Sequence, residues 1–342
     1  MIELEAIMED RHVTLAHGNG GRYMRELIET VFVRHLANPA LDVQLDAAPL
    51  ALDHRLVPFI TTDAFTVQPL EFPGGDIGSL AVNGTVNDLA VSGASPRFLT
   101  LNAIIEEGLE VELLDRVVAS LAGAAAAAGV SIVAGDTKVV PRGQGGGLYL
   151  VTTGVGLRDS ACALGLSTIR DGDAILVSGP VGDHGIAVML AREAFELKGD
   201  VRSDCACVLP FTAPLAGLDG VRFLRDPTRG GLATVAHEIA RATGLEVRLD
   251  EMHVPVRDAV RSVCEILGYD PYYLACEGRV VAVVAPEIAD DVLALWRTLP
   301  EGGEASRIGT LASGRGRVVL ETAIGGARLL EELEDDPLPR IC

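Results

Sequence analysis

The sequence is poor in aromatic residues and in basic residues. Aromatic residues make up 4% of the 342 residues, and 28 Lys and Arg stand against 48 Asp and Glu, which gives a formal net charge of −20. A surface that negative repels nucleic acid and anionic lipid, so no nucleic-acid partner is expected. If the substrate carries phosphates, a metal cation or a local basic patch has to offset the repulsion.

Export and membrane signals are also missing. The acidic N-terminus, MIELEAIMEDRH, has no basic segment that leads into an apolar run, so it does not read as a secretory signal. The most apolar helix-like stretch, at 121–129, is short and rich in alanine. We therefore expect a soluble cytoplasmic protein with no membrane span.

Cysteine is scarce, with six residues in the chain. In a reducing compartment these are expected to be thiols. Cys205 and Cys207 raise the alternative of a structural zinc, but no second pair of nearby ligands completes such a site, and buried thiols are favoured. Another cysteine, Cys342, is the last residue of the chain.

The length of the chain favours two domains, because 342 residues exceed one ordinary core. Hydrophobic residues make up 49%, enough to bury substantial cores. Strand-like and helix-like patterns occur in both halves, which predicts an α+β or α/β fold in two domains. We place the first domain at residues 1–157, the second at 158–330, and a flexible, charged and proline-containing tail at 331–342.

Hydrophobic periodicity locates the regular elements. Helix-like patterns lie at 22–36, 79–93, 111–130, 232–241, 257–268 and 290–299. Strand-like patterns lie at 57–67, 97–107, 131–140, 145–157, 247–256 and within 275–286. The segment 171–185, DGDAILVSGPVGDHG, predicts a strand, a glycine loop and the start of a helix.

Four aspartates stand at the ends or faces of these elements: Asp63 in TTDAF, Asp88 in VNDLA, Asp136 in AGDTK and Asp226 in RDPTRGG. Mg²⁺ bound to a nucleoside triphosphate takes carboxylate oxygens together with phosphates and water. Singly, each aspartate is more often a helix cap or a turn residue. As a set beside glycines, they favour a magnesium–nucleotide site, although spacing alone does not prove that they converge.

Glycines precede two predicted helices. Gly20 and Gly21 come before the helix at 22–36, and Gly230 and Gly231 come before the helix at 232–241. Glycine lets backbone N–H groups approach a phosphate at a helix N-terminus. The sequence has neither a P-loop motif nor a dinucleotide-binding motif, so ordinary glycine turns remain the alternative.

Basic and proton-handling residues lie in the same loops. Lys138 is suited to neutralise charge on a transferred phosphoryl group, and Arg229 is suited to bind phosphate with two donors. Glu277 in ACEGR and His184 in GDHG are candidates for proton transfer. The alternatives are a solvated position for Lys138 and a surface or capping role for His184.

The terminal thiol of Cys342 has no neighbour on one side. Its own carboxylate disfavours the thiolate, whereas Arg340 favours it. The segment from Glu331 to the end reaches roughly 40 Å when extended. Pro337 and Pro339 favour an extended conformation that suits insertion into a cleft. The alternative is a frayed terminus that happens to end in cysteine.

Taken together, the motifs resemble those of the hydrogenase maturation factor HypE family. In order they are TTDAF, FPGGDIG, VNDLAVSGA, AGDTKVV, SGPVGDHG, RDPTRGG and a terminal PRIC, spread over nearly the whole chain. That family belongs to a PurM-like ATP-binding superfamily with aminoimidazole ribonucleotide synthetase, selenophosphate synthetase and thiamine-monophosphate kinase. The resemblance implies an N-terminal α+β domain that forms a homodimer through its sheet, and a C-terminal α/β domain that helps to enclose the nucleotide.

The resemblance also implies an activity, carbamoyl dehydration with ATP and Mg²⁺. A HypF-type carbamoyltransferase places a carbamoyl group on the terminal cysteine, here Cys342. ATP then phosphorylates the carboxamide oxygen, and loss of phosphate and a proton leaves a thiocyanate. The cyano group passes to iron on a HypC–HypD complex and becomes a ligand of the [NiFe]-hydrogenase centre.

Matched by motif, Lys138 and Glu277 resemble residues of the reaction centre, and Glu277 is the candidate base for the nitrogen-bound proton. The residues expected at the nucleotide or its metal are Asp63, Asn87, Asp88, Asp136, Thr137, Asp226, Arg229, Gly230, Gly20 and Gly21. The chain departs from the family where Cys276 and Arg279 flank the Glu–Gly pair, since asparagine and lysine are expected there. No role is carried over to these two residues.

Two other functions stay open at this point. The first alternative is a kinase or synthetase of the same superfamily that acts on a free small molecule, in which case the tail is dispensable. A non-catalytic binding protein that uses its acidic surface and tail for interactions is the second alternative. Phosphate release after removal of Cys342 tests the first, and ATP binding tests the second.

Overall fold

The structure, a computed structural model, describes residues 11–18, 22–39, 41, 52–53, 55–192 and 200–333. The first regular elements are helical: a 3-10 helix (Leu15–Gly18), α1 (Arg22–Leu27), a π-helical stretch (Ile28–Val33) and α2 (Arg34–Leu36). The helix predicted at 22–36 is confirmed, with an internal π-helical stretch that its periodicity did not indicate.

A four-stranded sheet organises the first half of the chain. The strands are β1 (Val57–Phe65), β2 (Glu71–Phe72), β3 (Gly75–Asp76), β4 (Ser95–Glu106), β5 (Ser131–Val140) and β6 (Leu148–Arg158). The four-stranded sheet has the order β1-β6-β4-β5, and β2 and β3 form a separate pair. Residues alternate between buried and half-exposed along β4 and β6, so one face of the sheet is covered and the other is more open.

Two helices cover the buried face, α3 (Ile77–Val91) and α4 (Val111–Ala128). Asp76 caps α3, because its side chain accepts hydrogen bonds from the backbone N–H groups of Gly78 and Ser79. Nearly every residue of α3 is buried, since the helix packs on α4 and on the sheet and also contacts elements of the second half. This position brings Asn87 and Asp88 between the two halves.

A seven-stranded sheet organises the second half, with the order β13-β12-β9-β11-β7-β10-β8. Its strands are β7 (Ala174–Val177), β8 (Val221–Arg225), β9 (Glu246–Asp250), β10 (Val281–Val284), β11 (Ser306–Ala312), β12 (Val318–Glu321) and β13 (Ala327–Leu329). Its helices are α5 (Asp183–Ala191), α6 (Leu209–Thr212), α7 (Gly231–Thr243), α8 (Asp258–Leu267) and α9 (Ala289–Trp296). Strand β8 and the last three strands were not predicted.

The strand predicted at 247–256 ends early, at Asp250. The Asp250 side chain accepts a hydrogen bond from the Met252 backbone N–H at 2.9 Å, and this local turn stops the strand. The predicted domain limits at 157/158 and 330/331 remain predictions, although the two large sheets lie on either side of the first limit. In the described ranges, no helix combines the length and apolar character needed to cross a bilayer.

Candidate active site

A cavity of about 560 Å³ lies between the two halves of the chain. Six of the predicted site residues line it: Asp63, Asp88, Asp226, Arg229, Gly230 and Glu277. Arg225, Thr228, Glu238 and Leu333 also line it, and these had not been predicted. The volume and the polar lining suit a nucleotide-sized ligand.

Asp63 and Asp88 come from the first half. Asp63 lies on β1 opposite Thr152 of β6, and its Oδ1 accepts a hydrogen bond from the Ala64 backbone N–H at 2.9 Å. Asp88 lies on α3, and its Oδ2 accepts a hydrogen bond from the Thr61 hydroxyl at 2.8 Å. Burial raises the pKa of Asp63, and the charge of Asp88 adds to that rise.

The RDPTRGG motif forms the loop between β8 and α7. Asp226 is 5% exposed, and burial raises its pKa to about 7, with the charge of Asp88 as the next contribution. Gly230 has φ +73° and caps α7. Gly231 has φ +60°, and a Cβ there would lie 2.5 Å from the Leu274 carbonyl oxygen, so only glycine fits. The N-terminus of α7, which favours anions, therefore begins beside Arg229 and Gly230 in the cavity wall.

Glu277 lies at the inner wall of the cavity, in the loop before β10, and is 3% exposed. Burial holds the pKa of Glu277 well above its usual range, and the charges of Asp204 and of the cavity carboxylates Asp226, Asp63 and Asp88 raise it further. A raised pKa makes the carboxylate form a stronger base, which suits proton transfer.

The carboxylates fit a magnesium–phosphate ligand. Asp63, Asp88 and Asp226 offer the oxygen donors that Mg²⁺ prefers, and a cation would relieve the repulsion that raises the pKa of Asp63 and of Asp226. Within the part of the chain that the structure describes, no three His, Cys, Asp or Glu side chains are grouped so as to hold a metal alone. Phosphate oxygens and water would have to complete the ligand set.

Asp136, Thr137 and Lys138 are not part of this cavity lining. They lie on β5, and Lys138 Nζ is 3.4 Å from Asp136 Oδ2, with 67% and 55% of the two side chains exposed. Thr137 is buried, at 6% exposure. Asp136 and Lys138 pair with Asn102 and Ile104 of β4, which alternate with the buried residues of that strand. The two charged side chains are therefore on the open face of the sheet.

Asn87 and His184 are buried away from the cavity lining. The Asn87 amide donates to the carbonyl oxygens of Ala206 at 3.0 Å and Glu277 at 3.2 Å, and it accepts from the Val208 N–H at 2.8 Å. His184 Nδ1 is 2.8 Å from the Ser203 hydroxyl. Asn87 thus uses its amide to join the two halves rather than to face the cavity.

Three of the predicted site residues, Gly20, Gly21 and Cys342, lie outside the described residues. The chain is nevertheless described up to Leu333, which lies in the cavity wall. Leu330 is buried, and the Tyr273 hydroxyl donates to the Glu331 carbonyl oxygen at 2.6 Å. The last described residues of the chain are therefore anchored beside the cavity.

Sequence reasoning missed Asp204, whose side chain is fully buried next to Glu277. Asp204 lies in VRSDCACV, where the only signal was the C-x-C pair. It also missed Arg225 and Glu238, which form an ion pair at 3.3 Å in the cavity wall. Arg225 is the first residue of the RDPTRGG motif, which could have indicated it, whereas Glu238 belongs to no motif with a recognisable spacing.

Family models match most of the chain. The AIR synthase related protein N-terminal domain matches residues 44–158, and the C-terminal domain of the same group matches residues 170–321. Carbamoyl dehydratase HypE of Rhodobacter capsulatus is 47% identical over 339 residues, covering 98% of this chain and 99% of that protein. The Cupriavidus necator protein of the same name is 46% identical, covering 96% of this chain and 95% of that protein.

The comparison with solved structures points to the same family as the sequence relatives. The hydrogenase maturation protein HypE in complex with ATP superposes with a TM-score of 0.91 at 46% identity, covering 96% of this chain and 99% of that one. HypE in a HypE–HypF complex gives a TM-score of 0.78 at 41% identity, covering 90% and 99%. A thiamine-monophosphate kinase of Stenotrophomonas maltophilia K279a gives 0.66 at 21% identity, covering 88% and 96%, and shares the fold alone.

Proposed function

Because the chain belongs to the carbamoyl dehydratase HypE family, we propose that it uses ATP to dehydrate an S-carbamoyl group on its own Cys342 to a thiocyanate. The cyano group would become a ligand of the iron in a [NiFe]-hydrogenase centre. A HypE relative has been solved with ATP, which supports nucleotide binding by this chain.

One observation carries the proposal. The cavity brings the carboxylates of Asp63, Asp88, Asp226 and Glu277 together, and Leu333, close to the end of the chain, lies in the same wall. The nine residues that follow Leu333 reach roughly 30 Å when extended, which is ample for Cys342 to enter the cavity. A kinase or synthetase that acts on a free molecule would not need the end of its own chain there.

The phosphate-binding part of the reaction is assigned to the outer residues of the cavity. Arg229 and the α7 N-terminus would bind phosphate oxygens, and Asp63, Asp88 and Asp226 would hold Mg²⁺. When bound, Mg²⁺ neutralises phosphate charge and holds the γ-phosphate for transfer. Asp136 and Lys138 are proposed to complete the site from a second copy of the chain.

The chemical steps balance as a loss of one water. The carboxamide oxygen attacks the γ-phosphorus, ADP leaves, and one nitrogen-bound proton is lost, which gives a phosphorylated imidate. The second nitrogen-bound proton is then removed and phosphate leaves with the oxygen, so the S–C≡N group forms. Glu277 is proposed to accept a nitrogen-bound proton, since its buried carboxyl has a raised pKa.

The partners follow from this chemistry. A HypF-type carbamoyltransferase is proposed to load Cys342, supported by a relative solved as a HypE–HypF complex. A HypC–HypD complex is proposed as the acceptor of the cyano group. We further propose a homodimer, formed through the open sheet face, and a reaction in the cytoplasm.

The test is the intact mass of the C-terminal peptide. After incubation with carbamoyl phosphate, the carbamoyltransferase and ATP, we expect the mass of one carboxamide to be gained and then one water to be lost. Cys342→Ser should show neither change. Phosphate release on a free small substrate that continues in Cys342→Ser would contradict self-modification and favour the kinase or synthetase.

A further inference from the structure

Residues 203–208, here termed the bridging segment, connect the two halves behind the cavity. The Ser203 backbone N–H donates to the Pro73 carbonyl oxygen at 2.7 Å. At the other end, the Val208 N–H donates to Asn87 Oδ1 at 2.8 Å. The bridging segment is therefore attached to the first half at both ends, and its central residues face the loop that carries Glu277.

Asp204, in the bridging segment, binds the main chain at Glu277 with both carboxylate oxygens. Its Oδ1 accepts from the Glu277 N–H at 3.1 Å, and its Oδ2 accepts from the Gly278 N–H at 3.3 Å. The fit is close, because a Cβ on Gly278 would lie 1.9 Å from the Asp204 carbonyl oxygen. A side chain at position 278 would push the two segments apart.

Arg279 also contacts the Asp204 carboxylate. Its Nε lies 3.4 Å from Asp204 Oδ2 and donates to the Pro180 carbonyl oxygen at 3.0 Å, and only 2% of its side chain is exposed. A Cβ on Gly179 would lie 2.9 Å from Arg279 Nη1. The SGPVGDHG loop thus makes room for this arginine and orients it, a role that lies outside the cavity lining.

We propose that Asp204 is a positioning residue for the Glu277 carboxyl at the cavity. Its carboxylate binds the backbone N–H groups of Glu277 and Gly278, and Arg279 in turn holds the Asp204 carboxylate in place. The inference rests on the proposed function, in which Glu277 accepts a proton. A carboxylate offers an acceptor to each N–H group, whereas asparagine offers one acceptor and turns a donor towards the other. The contact with Asp204 gives a structural reason for Arg279, at a position where lysine is expected in relatives.

The test uses the full-length carbamoylated protein and measures thiocyanate formation over a range of ATP concentrations. In Asp204→Asn we expect the rate constant at saturating ATP to fall at least about tenfold, because a small displacement of a reacting group is costly. The ATP concentration for half-maximal rate should stay within about twofold, because Asp204 does not line the cavity.

Asp173→Asn is the matched control. Asp173 is also buried next to an arginine, with its Oδ2 3.7 Å from Arg222 Nε, but it lies outside the bridging segment and the cavity lining. Asp173→Asn should keep the wild-type rate constant even if its melting temperature falls. An equal loss of rate in both variants would mean that Asp204 acts only on stability, which overturns the inference.

Asp204→Glu keeps the charge beside Arg279 and covers the case in which Asp204→Asn does not fold. Its carboxylate is displaced by one methylene, so we expect a folded protein with a reduced rate constant and unchanged half-saturation by ATP. A wild-type rate constant in either Asp204 variant overturns the positioning role. Glu277→Gln separates the two levels. A wild-type rate of thiocyanate formation there overturns the role of Glu277 as proton acceptor, and with it the positioning role of Asp204, but leaves the proposed dehydration standing. Absence of thiocyanate in the wild type itself would overturn the proposed function.

Discussion

Buried carboxyl groups dominate this protein at the scale of single residues. Burial raises the pKa of Asp226 to about 7, and the pKa of Glu277 rises well above its usual range for the same reason. Asp183, near the bridging segment, follows the same rule. Burial raises its pKa to about 6, with Asp204 as the next cause, although Arg257 Nε donates to Asp183 Oδ2 at 2.9 Å. Asp183 Oδ1 is buried and has no hydrogen-bond partner among the residues that the structure describes.

This raised pKa predicts a pH dependence of stability. The folded-state pKa of Asp183 is about 6, above the value of about 3.9 expected in the unfolded chain, so the folded state binds the proton more tightly. The stabilisation that the tighter proton binding by Asp183 gives to the folded state is therefore complete below about pH 4. It is lost as the pH rises through about 6. We expect the Tm of the wild type relative to Asp183→Asn to fall across this window, as measured by thermal unfolding.

Asp290→Asn, at an exposed position, is the control and should keep a constant offset from the wild type. If the wild type instead gained stability over Asp183→Asn as the pH rose, the ion pairs of Asp183 with Arg257 and Arg279 would outweigh its burial. That result would contradict the pKa direction on which the prediction depends.

At the scale of elements, the turn before α7 depends on two glycines in the left-handed region. Gly231 combines φ +60° with a main-chain contact, since an added Cβ would lie 2.5 Å from the Leu274 carbonyl oxygen. Gly244, after the same helix, has φ +72°, and an added Cβ would meet no atom of the described part of the chain within 4 Å. The two positions share a backbone conformation that is strained for residues other than glycine, and they differ in the space available for an added side chain.

We predict that Gly231→Ala destabilises the protein more than Gly244→Ala. Gly244→Ala should lower the free energy of unfolding by about 1–2 kcal/mol, the cost of a left-handed conformation for alanine. Gly231→Ala adds a steric clash and should also weaken ATP binding, because it displaces the N-terminus of α7. Denaturant unfolding and calorimetric titration with ATP measure the two effects. Equal losses of unfolding free energy in both variants would contradict the prediction, because the main chain at Leu274 would then move away from the added methyl group at no energetic cost.

Several elements could be predicted because their signals are local. The alternation in 131–140 and the spacing of apolar residues in 111–130 depend on one face being buried, and both predictions are confirmed by β5 and α4. Strands β11, β12 and β13 were missed. Two of them pair with β9, from a distant part of the sequence, and their segments carry no comparable alternating pattern.

At the scale of the whole molecule, two groups of predicted site residues are kept apart by the first sheet. Asp63 lies on β1 and faces α3, whereas Asp136 and Lys138 lie on β5 and on the open face. β6 and β4 separate these edge strands, so the distance is roughly 14 Å at three strand spacings. A single copy of the chain does not bring them together, which is why a second copy is proposed to contribute Asp136 and Lys138.

Mixed dimers test this arrangement. Asp63→Asn and Lys138→Ala should each be inactive as homodimers, because each site lacks one residue. A purified mixed dimer of the two variants has one complete site if the residues come from different copies, and we expect roughly half of the wild-type rate per dimer, as its symmetry implies. Thiocyanate formation by mass spectrometry measures the recovery.

A mixed dimer of the wild type with the double variant Asp63→Asn/Lys138→Ala serves as the control. Sites shared between copies would each lack one residue there, so this dimer should be inactive. Activity in the control together with none in the complementing pair would instead mean that each site is built within one chain.

By itself, the sequence determined the chemistry and the family of this protein, because these depend on which residues stand in short motifs. Each motif is a continuous run of residues, as in the RDPTRGG loop, the ACEGR segment with its glutamate and the terminal PRIC. Only the tertiary structure decided which of those residues meet. Asp63, Asp88, Asp226 and Glu277 share one cavity, Asp136 and Lys138 do not reach it, and Asp204 binds the loop of Glu277. The physical reason is that convergence and burial arise from packing between segments far apart in the chain, which no local spacing encodes.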